Sequence, residues 1–108
     1  MVSQDAWMAV YMMTDDYRGT IYTGVTGQFF TRIGQHREGV MPGFTRKYVL
    51  KRLVWFEIHD LMTEAIQRET SIKRWPRQWK INLIERDNPC WEDLYASVFE
   101  WTPVPRQV

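Results

Sequence analysis

The stretch WMAVYMMTDDYRGTIYTGV, residues 7–25, constrains the fold more than any other part of the chain. Residues 7–13 are wholly apolar and suit a largely buried strand. Residues 14–19 (TDDYRG) carry turn chemistry, two aspartates and a closing glycine. Residues 20–25 then alternate as a second strand, so the segment reads as a β-hairpin. With a turn symmetric about residues 16 and 17, Tyr11 and Tyr22 stand directly opposite each other and project from one sheet face. Tyrosine pairs pack well across strands, so the hairpin alone reads as packing.

Beyond the hairpin, residues 28–37 have helical character, with Thr26 or Gly27 available to cap the start. Residues 39–43 (GVMPG) break that helix, and residues 53–58 (LVWFEI) form a third β-prone run. Residues 61–75 give the clearest helix, capped by Thr63 and ended by Pro76, and residues 77–84 give a short further helix. The order ββαβαα predicts a small α+β sheet, at least partly antiparallel, covered by helices.

A chain of 108 residues accommodates one core. Its single cysteine excludes an internal disulfide, which favours a reducing compartment. The longest apolar run is too short to span a membrane, and the N-terminus lacks a basic segment before an apolar one. A cytoplasmic protein is the expectation. Charge is uneven beneath the net +1: residues 32–80 hold eleven Lys/Arg against five Asp/Glu, and the rest three against eight. A basic middle suits a polyanion, although charge alone favours a solvated surface of mixed charges.

Three features fit a bland core poorly. The tyrosine pair is the first. On a helical wheel of residues 61–75, Met62, Ala65, Ile66 and Ile72 form one apolar stripe, and Glu69 falls inside it. A carboxylate on a buried face needs a partner or a metal, and Lys73 one turn later is an available partner. The third is TRIGQH, residues 31–36, in which Arg32 and His36 share a helix face bordering Phe29 and Ile33. Together these groups suit phosphodiester hydrolysis. Tyrosines and histidine can relay the water's proton, arginine can stabilise the phosphoryl charge, and a carboxylate can hold a divalent ion. Magnesium accepts so thin a site because it keeps several waters.

The ordered set Val10-Tyr11, Tyr22-Thr23-Gly24, Arg32 with His36, Phe44-Thr45-Arg46-Lys47-Tyr48, Arg68-Glu69 with Lys73 and Trp75, and Asn88-Pro89-Cys90-Trp91-Glu92-Asp93-Leu94 resembles the GIY-YIG nuclease superfamily. It is most similar to the small stand-alone bacterial members. The resemblance covers roughly residues 7 to 94, departing at Ala9 and Thr23, where the family has glycine and isoleucine. It implies a three-stranded antiparallel sheet flanked by helices, with a nuclease domain over residues 1–95 and an irregular tail over 96–108. It further implies DNA cleavage dependent on Mg²⁺ or Mn²⁺, leaving a 5′-phosphate and a 3′-hydroxyl. On that basis Tyr11 and Tyr22 carry the signature tyrosines, one as general base. Arg32 stabilises the transition state, His36 assists proton transfer, and Glu69 holds the metal. Asn82 and Asn88 both match asparagines of related branches, and neither is assigned a role.

For DNA contact, RKYVLKR (46–52) and KRWPRQWK (73–80) mix cations with aromatics, nominating Lys47, Tyr48, Lys73 and Arg77. Trp75 and Trp79 are equally readable as core. Homing and repair relatives carry additional DNA-binding domains, for which this chain has no room. The expected enzyme therefore recognises DNA structure, has little sequence preference, or depends on a partner protein. A non-catalytic nucleic-acid-binding module and a protein-interaction domain are the rival readings.

Overall fold

The computed structural model describes residues 7–38 and 50–100. The expected three-stranded antiparallel sheet flanked by helices is what forms. Strand β1 (Met8–Thr14) is central, paired with β2 (Ile21–Thr26) on one side and β3 (Arg52–His59) on the other, all antiparallel. Helix α1 (Phe29–Glu38) follows β2. Helices α2 (Met62–Lys73), α3 (Arg77–Asp87) and α4 (Tyr95–Glu100) follow β3.

The sheet is apolar on both faces because helices cover both, and this is why β1 reads as a continuous apolar run rather than an alternating one. Val10 and Met12 point toward α2 and α3, meeting Val54, Ala65, Ile72, Ile84 and Trp91. Ala9, Tyr11 and Met13 point the other way, among Phe29, Phe30, Ile33, Leu50 and Leu53. A β-bulge between Met12 and Met13 interrupts the β1–β3 register.

Several expectations are corrected by the structure. The hairpin register differs by two residues, with Tyr11 facing Gly24 and Met13 facing Tyr22. The loop, residues 15–20, is centred one residue later than a turn symmetric about 16 and 17, and it is built on side chains and a left-handed residue. The Asp15 carboxylate accepts the Thr20 N–H at 2.9 Å, the Asp16 carbonyl accepts the Gly19 N–H at 3.0 Å, and Arg18 has φ 50°. Helix α2 begins without a side-chain cap: Leu61, not Thr63, occupies the cap position. Its inward line is Met62, Ala65, Glu69 and Ile72, while Ile66 is exposed. The first residues of the tail expected to be irregular, 96–100, are helical, in a helix that starts at Tyr95. Thr26 does cap: its hydroxyl accepts the Gln28 N–H at 3.0 Å as the chain enters α1.

The segment after α3 closes the outer side of β3. Asn88 donates from Nδ2 to the Val54 and Glu92 carbonyls at 3.0 and 2.9 Å, and its Oδ1 accepts the Glu92 N–H at 3.0 Å. Leu94 N–H then donates to the Leu53 carbonyl at 2.8 Å. Trp91 is fully buried with φ 54°, its indole N–H donating to Glu85 at 2.7 Å. Asn88 is thus a backbone clamp that keeps an edge strand covered.

Candidate active site

Tyr11 sits on the central strand with its ring on the α1 face, only 1% exposed. A shift of two residues in register preserves the side of the sheet, so Tyr22 still shares that face as a diagonal neighbour. The two ring centroids are 6.2 Å apart. Gly24 explains how the rings fit. A Cβ at position 24 would lie 2.6 Å from both the Cζ and the hydroxyl oxygen of Tyr11, and 2.9 Å from Cε2 of Tyr22. The phenol of Tyr11 therefore crosses directly over β2, and only glycine leaves room for it. The sequence reading gave Gly24 no role, although a glycine inside a strand is itself a signal of close approach.

Helix α1 delivers His36 onto this pair, one turn after Arg32. The imidazole is 2% exposed, and its Nε2 lies 2.9 Å from the Tyr11 hydroxyl. Its centroid is 5.3 Å from that of Tyr11 and 5.4 Å from that of Tyr22, so the three rings form a compact triangle. Burial, aided by the Arg32 charge, pulls the His36 pKa down to about 4. At neutral pH the ring is uncharged, and the phenol of Tyr11 can donate to Nε2. Its Nδ1 is buried without a partner among the described residues. Burial pushes the Tyr11 phenol well above the ordinary tyrosine range. The Tyr22 interaction and, more weakly, the Glu69 charge act in the same direction, and Arg32 opposes them.

Glu69 arrives from the opposite layer. It occupies the inward line of α2 between Ala65 and Ile72, yet its side chain keeps 14% of its surface and pairs with Lys73 at 2.7 Å. The carboxylate thus has the partner that the helix spacing offered, and its charge also reaches Tyr11. Among the described residues no cluster of three or more His, Cys, Asp or Glu side chains is placed to hold a metal. One oxygen-donor side chain does not suit zinc, which takes nitrogen and sulfur ligands in fours or threes. It does fit a hard cation whose remaining ligands are waters and phosphate oxygens.

The nominated DNA contacts fare differently from one another. Lys47 and Tyr48 lie outside the described residues. Lys73 is engaged with Glu69, and Arg77 donates from Nη2 to the carbonyls of Arg18 and Gly19 at 2.6 and 2.7 Å, fastening the hairpin turn to α3. Trp75 packs partly against the core, whereas Trp79 is 56% exposed. Asn82 is on the surface, accepting from Gln78 at 2.9 Å, and Asn88 is the clamp described above.

Residues 8–82 match the model of the GIY-YIG catalytic domain. Relatives named UPF0213 protein, from Staphylococcus aureus strains Mu3, Mu50 and COL, are each 33% identical over 67 residues. Each alignment covers 62% of this chain and 82% of the relative. No solved structure matches. No helix among the described residues is long and apolar enough to cross a membrane. The match supports a nuclease-type function acting on nucleic acid, and it spans the hairpin, α1, β3, α2 and most of α3. The chain belongs to the GIY-YIG family.

Proposed function

We propose that the protein is a divalent-metal-dependent DNA endonuclease that hydrolyses phosphodiester bonds. The observation that carries this reading is the 2.9 Å contact between the Tyr11 hydroxyl and His36 Nε2, inside a ring triangle with Tyr22 and within reach of the Arg32 and Glu69 charges.

The chemistry follows from the protonation states. A phenol raised far above its usual range is a poor phenolate, so Tyr11 acts as a neutral relay. Tyr22, half-buried where Tyr11 is buried, stands at the solvent end. Tyr22 takes the proton of the attacking water as its own passes to Tyr11, and Tyr11 passes one to the neutral His36 at Nε2. The water oxygen forms the new bond to phosphorus while the bond to the 3′-oxygen breaks, and that oxygen takes a proton from solvent water, leaving a 5′-phosphate and a 3′-hydroxyl. Arg32 stabilises the charge that accumulates on the phosphoryl oxygens. Glu69 would hold Mg²⁺ or Mn²⁺, which when bound supplies Lewis-acid stabilisation to the phosphate and the leaving oxygen.

The test is cleavage of a DNA panel (single-stranded, duplex, flap and four-way junction) with Mg²⁺, Mn²⁺ or chelator, and with Glu69→Ala in parallel. Metal-dependent cutting that disappears in Glu69→Ala is the expected result. Binding without cutting on every substrate would favour the non-catalytic binding module instead.

A further inference from the structure

The corner where α2 passes into α3 carries a second set of groups that the cleavage chemistry does not use. Trp79, at the start of α3, is 56% exposed, and its ring meets Trp75 edge-on at a centroid distance of 6.0 Å. Trp75 is itself held from behind: it packs partly against the core, and the Arg68 guanidinium sits 5.4 Å from its centroid. Trp79 is therefore buttressed on one edge and open elsewhere. An indole this large is seldom left so open without reason.

Cations gather at this corner. Lys80 feels Arg77 and Lys73 closely enough that both, after burial, lower its pKa. Of these three cations only Lys73 has a carboxylate partner among the described residues, and that partner is Glu69. Arg77 spends one nitrogen on the two turn carbonyls, which leaves its charge uncompensated. Like charges gathered at one corner raise the free energy of the protein alone and are relieved by an anion. Lys73 touches Glu69 at one end and this cluster at the other, so the patch is continuous with the candidate active site.

We propose that Trp79 is a stacking platform for an unpaired nucleobase of the DNA substrate, with Lys80 and Lys73 holding the adjoining phosphates. The inference deepens the nuclease reading and rests on it for the identity of the ligand. A base is available to an indole face only when it is out of the duplex, so the platform selects strands with unpaired nucleotides beside the cleaved bond. A phosphate site alone would not need the tryptophan, and an apolar protein partner would not need three cations.

The test measures binding in chelator, where no cleavage occurs, by fluorescence anisotropy at low salt. The probes are a twelve-nucleotide oligothymidylate and an abasic strand with the same number of phosphates. Wild-type protein should bind the oligothymidylate about tenfold more tightly, the range expected for stacking one base. Trp79→Ala should bring the two probes to within twofold, Trp79→Phe should keep most of the preference, and Lys80→Ala should weaken both probes by similar factors. Thermal unfolding of Trp79→Ala close to wild type would confirm that the exposed ring is not holding the fold. Equal binding of the two probes by wild-type protein overturns the platform, as does a preference that survives in Trp79→Ala. Those results leave the nuclease reading intact, since metal-dependent cleavage is scored separately. Conversely, a base preference that depends on Trp79 in a protein that never cuts DNA would uphold the platform and sink the endonuclease.

Discussion

The two faces of β1 are built from alternate residues of one strand and do opposite things. Val10 and Met12 enter a layer of aliphatic and aromatic side chains from α2, α3 and the Trp91 segment. One residue away, Tyr11 enters the α1 face, where apolar neighbours at either end surround a buried phenol, a buried imidazole and the half-buried Tyr22. The first face can relax only by losing packing. The second holds polar groups whose protonation is set by burial and by Arg32, and burying such groups is unfavourable unless they are paired. The packing layer and the candidate site are separated here by a single step of the β-strand period. Glu69 crosses between them, carried on the helix of the apolar layer yet acting on Tyr11.

The sharpest way to break this separation is to remove the crossing residue. Glu69→Ala should reduce metal-dependent cleavage by about a thousandfold or more, a typical cost of losing a charge-stabilising group. Its unfolding temperature should remain close to wild type, because an ion pair with a half-exposed Lys73 contributes little. A variant that unfolds would instead place Glu69 in the core.

Ile72→Ala attacks the apolar layer on the same helix. Denaturant unfolding should show a loss of about 2–5 kcal/mol, with kcat unchanged wherever the protein remains folded. A selective loss of kcat would show that the two faces are not independent.

Gly24→Ala should do the reverse. The new methyl meets Tyr11 at 2.6 Å, so the ring must shift. About 1–3 kcal/mol of stability should be lost by overpacking, accompanied by a much larger fall in cleavage rate than Ile72→Ala gives. If cleavage survives in Gly24→Ala, the placement of the Tyr11 hydroxyl is not critical.

The smallest effect concerns pH. His36 is neutral in the folded protein down to about pH 4, whereas an unfolded histidine takes a proton near pH 6.5. Between those values the unfolded state binds more protons, so the contribution of His36 is complete above pH 6.5 and is lost as pH falls toward 4. The loss amounts to about 2 kcal/mol by pH 5 and about 3 kcal/mol by pH 4. Comparing unfolding at pH 7 and pH 5 for wild type and His36→Gln should reveal a steeper acid decline in wild type. Equal declines would mean that the imidazole is not held neutral.

Much of this was legible in the linear order of residues. The apolar run of β1, the turn chemistry after it and the periodicity of α2 report local preferences and burial, and these led to the sheet and its helices. The side of the sheet shared by Tyr11 and Tyr22 was legible too, because a register error of two residues leaves strand parity unchanged. The register itself was not, since Arg18 at positive φ and the Asp15 carboxylate centre the loop one residue later. Glu69 stood out on the helical wheel, but whether Lys73 or a metal answered it could not be read from spacing. Ile66 was misplaced because helical phase alone does not say where the sheet ends.

The linear order of residues therefore carries the inventory: three strands, the helices that follow β2 and β3 up to residue 84, and the candidate site residues. Tertiary structure decided which of those residues meet. The Tyr11–His36 contact joins residues 25 apart, and the neutrality of His36 comes from burial beside Arg32 under a packed sheet. The exposure of Trp79 beside a half-buried Trp75 is likewise a property of how α3 leaves α2. Contact, burial and pKa depend on distances through space, and sequence period fixes those only within a single element.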